Sequence, residues 1–320
     1  MKKIKFVDLF SGIGATHESF TQLANERICK GELVNYCEWE EWIAKGYSIA
    51  HNVDIGKNLG DITKVEINDI IGDVDLMTYG FPCQDLSALG SQKGLFDERG
   101  ELTRSGLFFE AVRIAKHKQP KVLIAENVKS LTFNNKKEEF DFMLETLSSI
   151  GYNNYWKVLD AKKHGLPHSR QRVFIVSIRK DLDDGGFEFP KDEPLKTVAS
   201  DLYISESITD DLYLNEHQIN IYAKNKMRLK KQYSSLNKEI QICQTTKQGQ
   251  KSNPQNFIED NKGVRIMNAD EYLVFQGFRM GLGSELLKNG FTTSQIGFMS
   301  GNSLSVNIMK KLIINILKYI

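Results

Sequence analysis

With 320 residues, 41% of them hydrophobic, the chain can fill a sizeable core in one large domain with a smaller companion. No apolar run reaches membrane-spanning length, and the start MKKIKF leads straight into a strand-like segment, so neither a membrane helix nor a signal peptide is expected and the cytoplasm is the expected location. Cys29, Cys37, Cys83 and Cys243 lack CxxC spacing, which argues against a disulfide framework and against a metal site, while a net charge of only +1 points to no class of partner.

In chain order, IKFVDLF (4–10) reads as a strand and SGIGATHESFTQLANE as a glycine loop opening a helix. LVNYCEW (33–39), VDLMTYG (74–80), KVLIAENV (121–128) and RVFIVSI (172–178) are the next strands. Between them, SGLFFEAVRIAKHKQP has a cap candidate in Ser105, apolar spacing at Leu107, Ala111, Ile114 and Ala115, and a stop at Pro120. EEFDFMLETLSSIG carries Phe140, Met143, Leu144 and Leu147 on one face and ends at Gly151. This alternation predicts an α/β domain with a mostly parallel sheet. From Asp181 the sequence is turn-rich, then polar, basic and loop-like, which predicts a separate small domain over 181–293. SVNIMKKLIINILKYI regains helical spacing at Met309, Leu312, Ile313, Ile316 and Leu317, so 294–320 is expected to rejoin the first domain, 1–180.

The charge is unevenly spread. Ile221–Phe257 holds Lys224, Lys226, Arg228, Lys230, Lys231, Lys238, Lys247 and Lys251 against the single acid Glu239, a run that suits either a solvated face or a polyanion-binding surface.

The loop FSGIGATHESF follows the first strand, at the sheet edge where α/β domains bind ligands. A dinucleotide fingerprint needs a third glycine, and His17 stands there after Gly12 and Gly14, so a nucleoside cofactor without a pyrophosphate fits better. Glu38, at the end of the second strand, can accept from both hydroxyls of a ribose; Trp39 can stack on an adenine and Asp61 can accept from an exocyclic amine. Cys83 follows a strand in YGFPC, at the same edge, and a glycine-rich loop comes next, so its thiol is accessible to a substrate. Glu126 emerges at the end of its own strand, where a carboxyl group can act as an acid.

On these residues the chain resembles the DNA (cytosine-5) methyltransferases, with DLFSGIG, GFPCQDLS, IAENV, RQRVF and SGNSLSV in the family's order. The resemblance implies a Rossmann-like doubly wound domain dependent on S-adenosylmethionine, with a smaller, irregular target-recognition domain at 181–293. It implies a catalytic set of Cys83, Glu126, Arg170 and Arg172: the thiolate adds to carbon 6 of a flipped cytosine, the acid holds ring nitrogen 3 and the exocyclic amine, and the first arginine helps hold the base. Cofactor contacts are implied at Phe10, Gly12, Ile13, Gly14, Glu38, Trp39, Asp61, Ile62, Pro82, Leu107, Asn302 and Ser303. Gln84, Ser87, Lys93, Arg99 and Arg104 match a loop that closes on DNA, and Lys230, Lys231, Gln244, Thr245 and Thr246 are candidates for phosphate and groove contacts. The implied partner is double-stranded DNA, with a cognate restriction endonuclease acting separately, and a nucleoid-associated monomer is expected.

Three departures from the family pattern stand out. Ala15 replaces a frequent glycine, His168 and Ser169 stand where glutamine usually opens the arginine block, and Asn268 and Asp270 stand where threonine and arginine are usual. Competing functions are methylation of structured RNA by the same site, a non-catalytic DNA-binding regulator, and a nicotinamide-dependent oxidoreductase. The intact thiol and acid argue against the regulator, and the missing third glycine against the oxidoreductase. Cys29, Cys37 and Cys243 read as structural.

Overall fold

A computed structural model describes residues 1–82, 104–204, 208–223, 235–253 and 255–320. Its contacts divide the chain into two compact units, Met1–Leu159 with Gln171–Lys191 and Ile308–Ile320, and Asp160–Arg170 with Asp192–Asn307.

The first unit is built on a six-stranded sheet. Its strands are β1 (Lys2–Leu9), β2 (Cys29–Cys37), β3 (Leu76–Tyr79), β4 (Val122–Val128) and β5 (Tyr152–Asp160); after the two-residue β6 (His168–Ser169) comes the sixth, β7 (Gln171–Arg179). The spatial order is β2-β1-β3-β4-β7-β5, with β1, β2, β3 and β4 parallel and β7 antiparallel to β4. Order reverses beside β1, so the crevice above β1 and β3 is the topological switch point where such sheets take ligands. The buried runs of β3 and β4, apolar on both faces, are what a strand covered by helices requires.

Helices α1 (Ala15–Asn25), α3 (Phe108–Lys118) and α4 (Lys137–Ser149) fall where the periodicity predicts, and α2 (Glu41–His51) is a further helix that the sequence reading did not single out. Phe108, Ala111, Ile114 and Ala115 of α3 and Phe140, Met143 and Leu147 of α4 are buried in one cluster with β3 and β4. The expected Ser105 cap is displaced: a 3₁₀ turn, Arg104–Leu107, precedes α3, and Leu107 occupies the cap position without a side-chain bond.

The second unit pairs β6 with β9 (Gln241–Ile242), and β10 (Asn256–Glu259) with β8 (Ser235–Leu236) and β11 (Val264–Ile266). Its helices include α5 (Glu216–Gln218), α6 (Ala269–Val274), α7 (Leu282–Lys288) and α8 (Thr293–Asn302). Leu212, Leu214, Phe257, Val264 and Ile266 form one apolar cluster, and Ala199, Ile258, Met267, Tyr272 and Phe275 another. α6 and α7, of six and seven residues, read as loop in the sequence because two turns are too few for helical periodicity to show. By contacts the second unit also holds Asp160–Arg170 and α8, while Ile308–Ile320, most of α9 (Val306–Ile316), lies in the first. There Lys310 pairs with Glu26, and the Lys2 ammonium donates to Leu317 O at 2.9 Å. No helix among the described residues is long and apolar enough to cross a membrane.

Asn268 and Asp270, the unusual residues, each have a job. Asn268 caps α6 in a reciprocal box with Glu271, and Asp270 accepts from the Ser284 amide and hydroxyl at 3.1 and 2.5 Å.

Candidate active site

The loop after β1 is held in place from behind. Phe10, Gly12 and Gly14 all have left-handed backbone, with φ of 54°, 53° and 82°. At Gly14 a Cβ would lie 2.5 Å from His51 Nε2 and 2.6 Å from a Tyr47 ring carbon, so only glycine fits. At Gly12 a Cβ would meet nothing within 4 Å among the described residues, leaving an open face against the backbone. His51 Nε2 bonds the Ile13 carbonyl at 2.9 Å, and the His17 ring stacks on His51 at 4.4 Å while Nδ1 reaches the Tyr47 hydroxyl at 3.1 Å. The histidine in place of a third glycine is thus engaged in packing behind the loop.

Glu38, at the tip of β2, is nearly buried. Its Oε2 accepts from the Gly12 amide at 3.1 Å and its Oε1 from the Glu40 amide at 3.0 Å. Burial pushes its carboxyl above the ordinary carboxylate range, against the lowering effect of those two amides. Each oxygen retains a further lone pair, so the group can still accept from hydroxyls. Asn58, which the sequence reading missed, brackets Glu38 by accepting from its amide and donating to its carbonyl, both at 2.9 Å. Trp39 is 69% exposed. Asp61 caps a short 3₁₀ turn, accepting from the Thr63 hydroxyl at 2.8 Å and amide at 3.1 Å, bonds that hold its carboxyl below the usual range. Ile62 is buried in the core, so only its backbone is available to a ligand, and Leu107 and Pro82 are half-buried. An open glycine, an exposed indole and a carboxylate with lone pairs to spare are a donor and acceptor set that suits an adenosyl group.

Below this loop, Asp8 accepts from the Thr78 hydroxyl at 2.7 Å, and Thr16 donates to Thr78 at 3.1 Å. Desolvation outweighs both hydroxyls and raises the Asp8 carboxyl from 3.8 to about 7. Between about pH 4 and pH 7 the unfolded chain has released this proton and the folded chain retains it, so its contribution to stability falls as pH rises through that window and stays low above it. Asp8→Asn cannot ionise, so its stability relative to wild type should improve from pH 5 to pH 8 in urea titrations; parallel pH profiles would rule Asp8 out as the titrating group.

On the far side of β3, Glu126 meets an arginine. Arg172 Nε stands 3.2 Å from Glu126 Oε1, both side chains being largely buried. In the β4–β7 ladder Arg172 lies opposite Val128, and Glu126 opposite Phe174. Glu126 Oε2 faces the Gly80 backbone, 3.7 Å from where a Cβ would stand. Asn127, buried, donates to the Phe81 carbonyl at 3.2 Å and so ties the segment leading to Cys83 against the end of β4. The sequence offered Asn127 inside IAENV, with no reason to single it out. Asn127→Ala should lower turnover by about fivefold, since it removes one positioning bond of about 1 kcal/mol on the approach to the thiol. Single-turnover rates would check it.

Cys83 itself lies outside the described residues, as do Gln84, Ser87, Lys93, Arg99, Lys230 and Lys231, and Arg104 is described only through its backbone turn. Arg170 and Gln244 need correction. Arg170 is buried in the second unit, where Nη1 donates to the Gln244 carbonyl at 3.1 Å and Nη2 to the Gly301 and Ser303 carbonyls at 3.3 and 2.5 Å. Its guanidinium is thus engaged with main chain, and Arg172 is the arginine at the acid. The Gln244 side chain, expected at a DNA groove, is 1% exposed and accepts from Ser300 Oγ at 2.5 Å. Thr245 is exposed and Thr246 half-exposed, as a contact surface requires; Asn302 is exposed and Ser303 buried. Cys37 donates to the Gly60 carbonyl, and burial pushes its thiol up to about 12, which makes it inert as a nucleophile at neutral pH.

A family model described as C-5 cytosine-specific DNA methylase matches residues 4–318. Type II methyltransferase M.HaeII of Haemophilus aegyptius is 32% identical over 97% of this chain and 92% of its own length. Type II methyltransferase M2.ScrFI of Lactococcus lactis subsp. cremoris is 41% identical over 52% of this chain, and that match spans 44% of M2.ScrFI. Several relatives are thus matched over less than two thirds of their length. Among solved structures, the S. pombe Dnmt2 methyltransferase superposes with a TM-score of 0.71 over 97% of both chains at 21% identity, which shows the shared fold. With motifs, sheet order and the family model in agreement across nearly its whole length, the chain belongs to the C-5 cytosine-specific DNA methylases.

Proposed function

We propose that this protein transfers a methyl group from S-adenosylmethionine to carbon 5 of cytosine within a specific double-stranded DNA sequence, through a covalent bond between Cys83 and a flipped-out base. The observation that carries this reading is the Glu126–Arg172 pair set against Gly80–Phe81, two residues short of the thiol, in a chain of this family.

The cofactor would be held by Gly12 and Ile13 of the first loop, Glu38 at its ribose, Trp39 and Asp61 at its adenine, with Phe10, Gly14, Ile62, Pro82, Leu107, Asn302 and Ser303 completing the set. It supplies an electrophilic methyl group. A cytosine stacked inside a duplex cannot be attacked at carbon 6 by a protein thiol, so the base must leave the stack at a cost of roughly a few kcal/mol. Cys83 then adds as thiolate to carbon 6. Glu126 hydrogen-bonds ring nitrogen 3 and the exocyclic amine, drawing charge toward the acid while carbon 5 becomes nucleophilic. Arg172 keeps the local field positive, which also favours thiolate over thiol. Loss of the carbon 5 proton after methylation expels the thiolate and restores the ring.

The substrate would be approached by Thr245, Thr246 and the basic run around Lys230 and Lys231, with Gln84, Ser87, Lys93, Arg99 and Arg104 as further DNA contacts. A separate restriction endonuclease of the same specificity, a monomeric state and a cytoplasmic, nucleoid-associated location complete the proposal.

Tritiated methyl transfer to mixed-sequence genomic DNA, followed by bisulfite sequencing, should show modification at cytosines in one short sequence context. No transfer to any DNA overturns the proposal, and transfer to structured RNA instead would replace the substrate. A duplex carrying 5-fluorocytosine at that site should form a denaturant-resistant complex with the wild-type protein and none with Cys83→Ala.

A further inference from the structure

The helix that ends in the SGNS block has a second use. On α8, Ser294, Gly297 and Gly301 are spaced three and four residues apart and share one face. The segment 244–249 lies directly on that face. A Cβ on Gly301 would stand 2.0 Å from the Thr245 carbonyl oxygen, and one on Gly297 would stand 2.8 Å from the Gln248 carbonyl. Gly249, with φ +81°, comes so close to Ser294 that its own Cβ would lie 2.7 Å from the Ser294 Cα, and Ser294 Oγ donates to the Gly249 carbonyl at 2.7 Å.

Polar ties lock the contact. Ser300 Oγ donates to Gln244 Oε1 at 2.5 Å or to the Tyr272 carbonyl at 2.6 Å, and Gln276 Nε2 donates to the Ser300 carbonyl at 3.0 Å. Arg170 joins the carbonyl of Gln244, just before Thr245, to the carbonyls of Gly301 and Ser303, which flank Asn302. One guanidinium therefore grips the main chain on both sides of Asn302 and at the root of the threonine pair, a three-carbonyl grip that suits a planar fork and not an ammonium.

We propose that Ser300, Gly301 and Arg170 are positioning residues for target engagement: they seat the Thr245–Thr246 loop at the height and angle at which it meets DNA. The inference deepens the proposed function and rests on that loop being a DNA contact. The cluster accounts for residues that the cofactor reading leaves idle, since Ser300 and Gly301 are fully buried against the recognition loop while Asn302 is exposed.

The test compares Ser300→Ala, Gly301→Ala and Arg170→Lys with Thr245→Ala and Thr246→Ala in the full chain, measuring duplex DNA affinity by filter binding, S-adenosylmethionine affinity by calorimetry, and thermal unfolding. Ser300→Ala, which adds no bulk, should weaken DNA binding about fivefold while cofactor affinity stays within about twofold, the size of effect one hydrogen bond carries. Gly301→Ala should weaken DNA binding more than tenfold, because the loop must lift to admit a methyl group; should that variant fail to fold, Ser300→Ala and Arg170→Lys carry the comparison. If the threonine variants lose DNA affinity but Ser300→Ala and Arg170→Lys keep it, or lose both affinities equally, the positioning role is overturned and the DNA role of the loop stands. If the threonine variants keep full DNA affinity, the DNA role of the loop falls and the inference falls with it.

Discussion

Glu126→Gln is expected to lower the single-turnover rate of methyl transfer by about 10²- to 10⁴-fold, the range one positioned acid supplies, with cofactor affinity unchanged. The amide keeps the size and planarity of the carboxyl group and can still touch Arg172, so the sheet edge around Gly80 has no reason to move. What disappears is the charge that meets Arg172 and the ability to share a proton with ring nitrogen 3. Arg172→Leu should fall between wild type and Glu126→Gln, because it leaves a largely buried carboxylate without the guanidinium that stands 3.2 Å away. A Glu126→Gln rate within about threefold of wild type would remove this residue from the chemistry, since a positioned acid is worth far more than that.

The second large effect concerns stability. Arg265 and Glu271 are buried in the second unit and meet in a two-pronged pair, Nη1 to Oε2 at 2.7 Å and Nη2 to Oε1 at 2.9 Å. Asp260 lies 3.3 Å from Arg265 Nε, and Glu271 also accepts from the amides of Asn268 at 2.8 Å and Ile204 at 2.9 Å. Each oxygen of the carboxylate is therefore used twice. Glu271→Ala should destabilise the second unit by about 3–5 kcal/mol, because it strands a buried cation, the buried Asn268 amide and the part-buried Ile204 amide. Hydrogen exchange should show lost protection across β10, β11 and α6 while β3 and β4 keep theirs. Removing both partners, as Arg265→Met with Glu271→Leu, should recover much of the loss, since no unpaired charge is then left inside.

Most strands and helices of the first unit were readable because each is long enough for its period to show, and because the loop after β1 and the acid at the end of β4 both fall where apolar runs stop; α2 was not singled out, nor was β5, whose residues are largely polar and only partly buried. Glu38 and Glu126 could be chosen from their place at strand ends alone. The role of Arg170 could not. Residues 170 and 172 would share a face of one continuous strand, but the ladder breaks at Arg170, so β6 pairs with β9 in the second unit while Arg172, second residue of β7, pairs with Val128 of β4. Gln244 misled for a related reason: a glutamine in a basic, polar stretch reads as surface, and only the Ser300 hydroxyl of α8 and the Gln276 amide, both donating to its Oε1, and Met267 Sδ, which accepts from its Nε2, offset the cost of its burial.

By itself, then, the amino-acid order determined the family and the parallel sheet, since these depend on local period and on short blocks of sequence, and it supplied the side chains proposed for the chemistry. The tertiary structure alone decided which arginine stands at the acid, that Asn127 tethers the approach to Cys83, and that α8 seats the threonine loop. Those are facts of register and of close backbone approach between segments distant in the chain, and no local pattern encodes them.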